Sequence, residues 1–367
     1  MSKLETANLQ NVSSGAPSFP QGMTVGGTDI TTLVSMTEYY EQAGEPSSPA
    51  NGAVWWTGSV MYQYAGGAWR IVNVSVPPPP FAGDRGLFAG GGPFSSETNV
   101  IDYVTISTTG NATDFGDLTV ARRSLAGCSN GSRGIFGGGN AAYTKSNVID
   151  YVTISTLGNA VDFGDLTATI TTLSACSDGT YGVFGGGDVL GKIATIDYVT
   201  ISTPGNAADF GDLTVARFSL SACSSVVRGV FGGGSDNSDV NVIDFVTIAT
   251  PGNATDFGDL TVGRDVLAAC SNGSRGLFGG GFPGSASNVI DYITIDTTGN
   301  ATDFGDLTSG TNSLSSCSNG TRGIFGGGQI GGNTNVISYV TIDTPGNATD
   351  FGDLTVARDM LTACSGD

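Results

Sequence analysis

The chain has 367 residues, 39% hydrophobic and only 13% charged, with 58 glycines, no histidine and a formal net charge of −19. A surface so acidic repels phosphate backbones and anionic lipid, which argues against nucleic acid as a partner and against membrane insertion. The missing histidine removes the commonest general base and the commonest metal ligand together.

No apolar run follows Lys3 and no stretch approaches the ~18 apolar residues of a membrane span, so folding in a cytoplasm is expected. Residues 1–50 carry few apolar side chains and are expected to gain order against a partner. All three tryptophans, Trp55, Trp56 and Trp69, follow in GAVWWTGSVMYQYAGGAWRIV. This reads as a twisted hairpin turning at Ala65, Gly66 and Gly67, with Tyr62, Tyr64, Trp69 and Ile71 to pack. Residues 1–76 are thus expected to form a small β module for attachment. Pro77, Pro78, Pro79 and Pro80 open a stiff linker over residues 77–84, a polyproline II spacer roughly 12 Å long.

From residue 85 the chain repeats itself. The string FGDL recurs with its phenylalanine at Phe115, Phe163, Phe210, Phe257, Phe304 and Phe351, spaced 48 once and 47 four times. Phe88, Phe136, Phe184, Phe231, Phe278 and Phe325 keep step, as do Cys128, Cys176, Cys223, Cys270, Cys317 and Cys364. Each unit reads as four short strands, here A to D. In the second unit these are residues 125–129, 133–139, 147–155 and 162–166; across the repeats Asn-Gly, Pro-Gly-Asn and Gly-Gly-Gly turns punctuate the strands. Strand C is apolar on both faces, since Val100, Val104 and Ile106 alternate with Ile101 and Tyr103. A sheet of that kind needs cover on both sides, and radially stacked blades supply it. An open solenoid would need atypical end units, whereas these end units look like the inner ones. The array opens with a B strand at Arg85 and closes with an A-like strand, residues 361–365. Hence the last strand should complete the first blade, with Cys364 beside Leu87. The expected fold is all-β: a six-bladed β-propeller over residues 85–367 with a small N-terminal β module.

A short strand, an aliphatic-aromatic strand ending in paired glycines, and a further strand before a final aromatic, at a period near 50, resembles the kelch repeat. Phenylalanine stands where a kelch unit usually has tryptophan, and the repeats are unusually alike. Strings such as NVIDYVTISTTGNATDFGDLTVAR resemble the kelch-like arrays of marine bacteriophage virion proteins, and the aromatic hairpin resembles one common in phage tail and fibre proteins. The resemblance implies a virion component made in the host cytoplasm. Its N-terminal module would dock on tail or capsid proteins, with the chain a homo-oligomer within the virion. The propeller would present a binding face to a host-surface glycan or protein, or to another virion protein. The alternative is a kelch-type intracellular interaction scaffold with no virion role. A lytic or glycan-cleaving propeller is disfavoured by the missing histidines and missing Asp-box strings. Some kelch propellers are copper oxidases, but such a site needs histidine ligands.

No constellation points to catalysis, and neither cofactor nor metal is expected. The carboxylates of each DFGD, such as Asp114 and Asp117, are too few for a calcium cage and read as turn capping. The aspartate of NVIDYV is read the same way; one unit replaces it by Ser338, with no other change noted. The six cysteines, one per blade on the innermost strand, read as buried free thiols. The FGGG runs open no helix and carry no Gly-Lys-Ser/Thr, so they are not phosphate loops. The sequons at Asn111, Asn130, Asn253, Asn272, Asn300, Asn319 and Asn347 read as by-products of repeated turns.

Six copies of one unit can be compared with each other. The A–B and C–D turns hardly vary. The B–C loops (GPFSSET, NAAYTKS, DVLGKIA, SDNSDV, FPGSAS, QIGGNT) share almost nothing, and the D–A segments vary too. In an up-down blade, B–C and D–A connections share one face of the disc. Loops on a rigid scaffold are where recognition usually sits. The candidate binding residues are therefore Phe94, Arg123, Tyr143, Lys145, Leu190, Lys192, Asp236, Phe282 and Gln329. The N-terminal module and the last strand are both expected on the invariant side.

Overall fold

The computed structural model describes residues 83–92 and 96–366 in full, together with the backbone of seven strands between Lys3 and Ile71. The chain divides into two compact units, Met1–Pro77 and Pro78–Asp367.

In the first unit, strands Lys3–Glu5, Glu38–Glu41, Val54–Trp56, Met61–Ala65 and Ala68–Ile71 form one sheet in that order. The last two pair antiparallel with Tyr64 opposite Trp69 and Ala65 opposite Ala68, which is the hairpin that the aromatic alternation predicts. The tetraproline lies outside the described residues.

The second unit is a β-propeller of six four-stranded antiparallel sheets, with no helix among the described residues. Blade 2 takes strands A (Ala126–Ser129), B (Arg133–Gly137), C (Val148–Thr153) and D (Val161–Asp165). The same four strands recur over residues 174–212 (blade 3), 221–259 (blade 4), 268–306 (blade 5) and 315–353 (blade 6). Blade 1 takes B, C and D from residues 85–117 and its A strand from Thr362–Gly366, with Cys364 opposite Leu87.

The core is divided among the seams between blades. Cys128, Ile135, Ile149 and Phe163 of blade 2 pack with Phe184, Val199 and Ile201 of blade 3. Val152 and Ile154, from the other face of the same C strand, pack with Leu87 and Phe115 of blade 1. Both faces of strand C are buried, as its apolar pattern requires, and each fully buried aliphatic contributes about 1.5–3 kcal/mol.

The repeated glycines follow from how closely the blades approach. A Cβ at Gly134 would lie 2.8 Å from the Cys364 sulfur of blade 1, and one at Gly229 would lie 2.7 Å from the Cys176 sulfur of blade 3. Each cysteine thus fills the notch left by the glycine of the Arg-Gly-aliphatic-Phe run in the next blade. All six thiols are free and buried.

The invariant turns make the seams. At the seam between blades 1 and 2, Asn159 Oδ1 of blade 2 accepts from the Asp117 amide of blade 1 at 3.1 Å, and Ala160 donates its amide to the Asp117 carbonyl. The same clasp recurs at every seam, ending with Asn111 on Asp353. In the A–B turns Asn130 Oδ1 caps the amides of Ser132 and Arg133. The sequon asparagines are turn and seam residues. Two belts also ring the central channel. At one end Ser224, Ser271, Ser318, Ser365 and Ser129 each donate a hydroxyl to the serine carbonyl of the preceding blade. At the other, Ser124, Thr172, Ser219, Val266, Ser313 and Met360 pass amide-to-carbonyl bonds of 2.7–2.9 Å around a closed circle.

Candidate functional site

Strands A and C run toward one face and B and D toward the other. The B–C loops and D–A segments therefore meet, and they bond to each other. Arg123 bridges Asn140, Thr171 bridges Asp188, Phe218 bridges Ser235, Asp265 bridges Phe282 and Asn312 bridges Gln329. The two variable stretches of each blade form one continuous surface, a pairing that no sequence pattern signals.

The D–A segment is only partly variable in the sense that its sequence suggests. Its arginine, Arg122, Arg217, Arg264 or Arg358, is fully buried against the aspartate of a C strand. The pairs are Arg122–Asp150 at 2.5 Å, Arg217–Asp244 at 2.7 Å, and Arg264–Asp291 and Arg358–Asp102 at 3.0 Å. This corrects the reading of the NVIDYV aspartate as a turn cap: its carboxylate is the counter-ion of a buried guanidinium. Ser338 is likewise not an isolated replacement. In blade 6 the arginine position holds Thr311, so both charges are lost together, and Ser338 bonds Thr308 at 2.7 Å. Removing one partner of such a pair would strand a buried charge. Blade 3 is the exception, because Ile170 replaces the arginine while Asp197 remains, held by the Thr167 hydroxyl and amide. Burial, first of all, pushes the Asp197 carboxyl above its ordinary value.

On the face itself Leu190 is fully exposed, Tyr143 is 72% exposed and Phe282 41% exposed. Tyr143 sits at the tip of the small hairpin Asn140–Ala141 and Thr144–Lys145, at φ 66°. Phe94 lies outside the described residues. The charged candidates are engaged with their own scaffold. Lys145 pairs with Asp188 at 2.9 Å and donates to the Val189 carbonyl, both in the next blade's loop. Lys192 donates to the Asp236 carbonyl, one blade further on. Asp236 accepts from the Ser238 hydroxyl at 3.1 Å. Arg123 is buried, with Nε 3.6 Å from Glu97, and Gln329 donates to the Asp359 carboxylate. The loops of blades 2, 3 and 4 are thereby tied into one arc.

The sequence reading missed four exposed apolar residues of this face, Val120, Val262, Ile330 and Val356. It also missed Asp265, whose carboxyl is pushed up to about 6 by burial and then by the nearby Asp239. Of the eleven large apolar side chains exposed among the described residues, seven lie on this face. At its centre the six residues of the backbone belt all adopt φ between 45° and 56°, though none is glycine. Left-handed backbone of that kind costs about 1–3 kcal/mol per residue and persists only where its surroundings hold it. Here the closed circle of hydrogen bonds does so, around a cup floored by the leucines that follow each belt residue.

The outer DFGD carboxylates join none of the ion pairs among the described residues, and no group of three or more histidine, cysteine, aspartate or glutamate side chains gathers there as a metal site. No protein-family model and no curated protein matches the chain, which leaves its function to be argued from its own residues.

Proposed function

We propose that the chain is a non-enzymatic binding component of a phage virion, docking through its N-terminal module on tail or capsid. The propeller would then present its variable face to a host-surface glycan or protein, or to another virion protein. The binding part rests on one observation. Sequence variation and exposed apolar side chains fall on the same face, on loops bonded to a rigid disc. The absence of histidine and the structural use of the buried aspartates support a role without catalysis. The virion part rests on the likeness of the repeats and the aromatic hairpin to phage arrays. Gold-labelled antibody against the propeller, applied to purified particles, is expected to decorate them at a defined place. Label found only in cell lysate would overturn the virion role and favour the intracellular scaffold. Replacing Tyr143, Leu190 and Phe282 together by alanine is expected to abolish binding of the free propeller to host cells without lowering its melting temperature.

A further inference from the structure

The six seams are not equal. At five of them the arginine that opens strand B reaches across to a carbonyl at the end of the next blade's C strand. Arg85 reaches Ile154, Arg133 reaches Ile201, Arg228 reaches Ile295, Arg275 reaches Ile342 and Arg322 reaches Ile106, at 2.7–3.3 Å. In blade 3 this position is Tyr181, which turns back onto Tyr198 of its own blade. Among the described residues no side chain donates to the Ile248 carbonyl. A second bond is lost there as well. Gly110, Gly158 and Gly299 donate their amides to the phenylalanine of the preceding blade's FGD, but Gly252, which follows proline, does not. Two other seams, between blades 2 and 3 and between blades 5 and 6, lack this glycine bond and also the buried arginine–aspartate pair, yet both keep the strand-B arginine, Arg133 or Arg275. The opposite seam, between blades 6 and 1, has both bonds and more. Arg322 there holds both Ile106 and Ser107, Gly110 makes its bond, and Asn319 holds Asp84.

We propose that the ring is built to open between blades 3 and 4, diametrically opposite the seam between blades 6 and 1. A bond from a charged donor to a buried carbonyl is among the stronger ones, and its absence raises the local opening equilibrium about tenfold or more. The seam retains its serine bond, its asparagine clasp, the Lys192 contact and, on the variable face, the buried Arg217–Asp244 pair, so it is closed at rest and its two deficits lie on the invariant face. Opening separates the blades without unfolding any sheet, because every four-stranded ladder lies within a blade.

Each seam carries its own reporter. Cys176 faces Gly229 across the seam between blades 3 and 4, Cys270 faces Gly323 across that between blades 5 and 6, and Cys317 faces Gly86 across that between blades 6 and 1. Burial pushes the thiols up, Cys270 and Cys364 to about 12, so they react only when their seam opens. The test is alkylation of the full chain by N-ethylmaleimide in dilute urea, followed by peptide mass spectrometry, since the six cysteine peptides differ in sequence. Cys176 is expected to react about tenfold faster than the other five. Tyr181→Arg should slow Cys176 to their rate. Arg275→Tyr, which gives the seam between blades 5 and 6 the same two deficits, should bring Cys270 up to the rate of Cys176. Equal rates at all six thiols, or leadership by Cys317 or Cys364 beside the closing strand, would overturn the proposal. If Tyr181→Arg fails to fold, an unchanged Cys270 rate in Arg275→Tyr overturns it alone.

Discussion

The buried arginine–aspartate pairs can be tested with a substitution that the chain has already made in blade 6. In blade 5 Arg264 Nη2 lies 3.0 Å from Asp291 and 3.0 Å from the Phe278 carbonyl, and neither charged side chain is exposed. Asp291 also accepts from the Thr261 hydroxyl at 2.6 Å. Arg264→Thr would leave a carboxylate with a hydroxyl and an amide but no cation, and Asp291→Ser would leave a guanidinium with one carbonyl. Breaking a buried pair from either side costs about 3–5 kcal/mol, because the surviving charge stays desolvated. The double variant strands no charge. It reproduces Thr311 and Ser338 of blade 6, where a small cavity lined by both residues takes the place of the guanidinium. Its cost should therefore be about 1–2 kcal/mol, and the two substitutions should be non-additive by several kcal/mol. At about 2 °C per kcal/mol for a domain of this size, each single variant should lower the melting temperature by roughly 6–10 °C and the double by roughly 2–4 °C. Urea midpoints at unchanged slope provide the independent reading. A double variant that loses the sum of the two singles would refute the idea that charge pairing, rather than the shape of either side chain, holds this position.

Thiol titration should find six reactive groups in denaturant without reductant and essentially none within minutes in the native protein; a count of zero in denaturant would mean disulfides. Asp265→Asn should stabilise the fold near neutral pH. Because the native carboxyl titrates at about 6, above its unfolded value, its stabilising protonation is complete below about pH 4 and lost as pH rises through 6. The gap between variant and wild type should therefore close on acidification, and a gap that widened would contradict it. Deleting residues 359–367 removes the strand that pairs with Arg85–Ala89, and should leave an aggregated or molten chain. Melting at the wild-type temperature would show that the ring does not need that strand.

Most of the propeller is legible in the sequence because its period is nearly strict. Strand positions, blade number and the hairpin of the first unit follow from turn residues and alternation, with strand ends shifting by a residue or two. The seams are less legible. That Gly134 makes room for Cys364, or that Asn159 clasps the preceding blade, depends on contacts between units whose sequences give no sign of which neighbour they meet. Arg122 and Asp150 lie 28 residues apart, and in a surface-like segment an arginine reads as exposed. One signal was available: Thr311 and Ser338 depart from the repeat in the same unit, and their joint change marks a contact. On the variable face the exposed apolar residues were readable as candidates. The fixed roles of Lys145 and Lys192 were not, since a loop's polar partners depend on the loop beside it.

Invariance and variation therefore have separate physical causes in this chain. The C–D turns are alike because each must present an asparagine and an alanine amide to the blade before it, and a different turn would open the seam. The A–B turns are alike because asparagine or aspartate must cap two amides before strand B, and blade 4 meets the same need with Ser225. On the opposite face the seams demand little beyond the buried arginine and the backbone belt. The loops there are bonded at their base and unconstrained at their tips. Loop tips freed from holding the ring together can change their side chains without changing the fold; Tyr143 and Leu190 stand on such tips, and Phe282 lies at the bonded base of its loop, beside Asp265. That physical freedom makes the face suitable for recognition, whichever partner it meets.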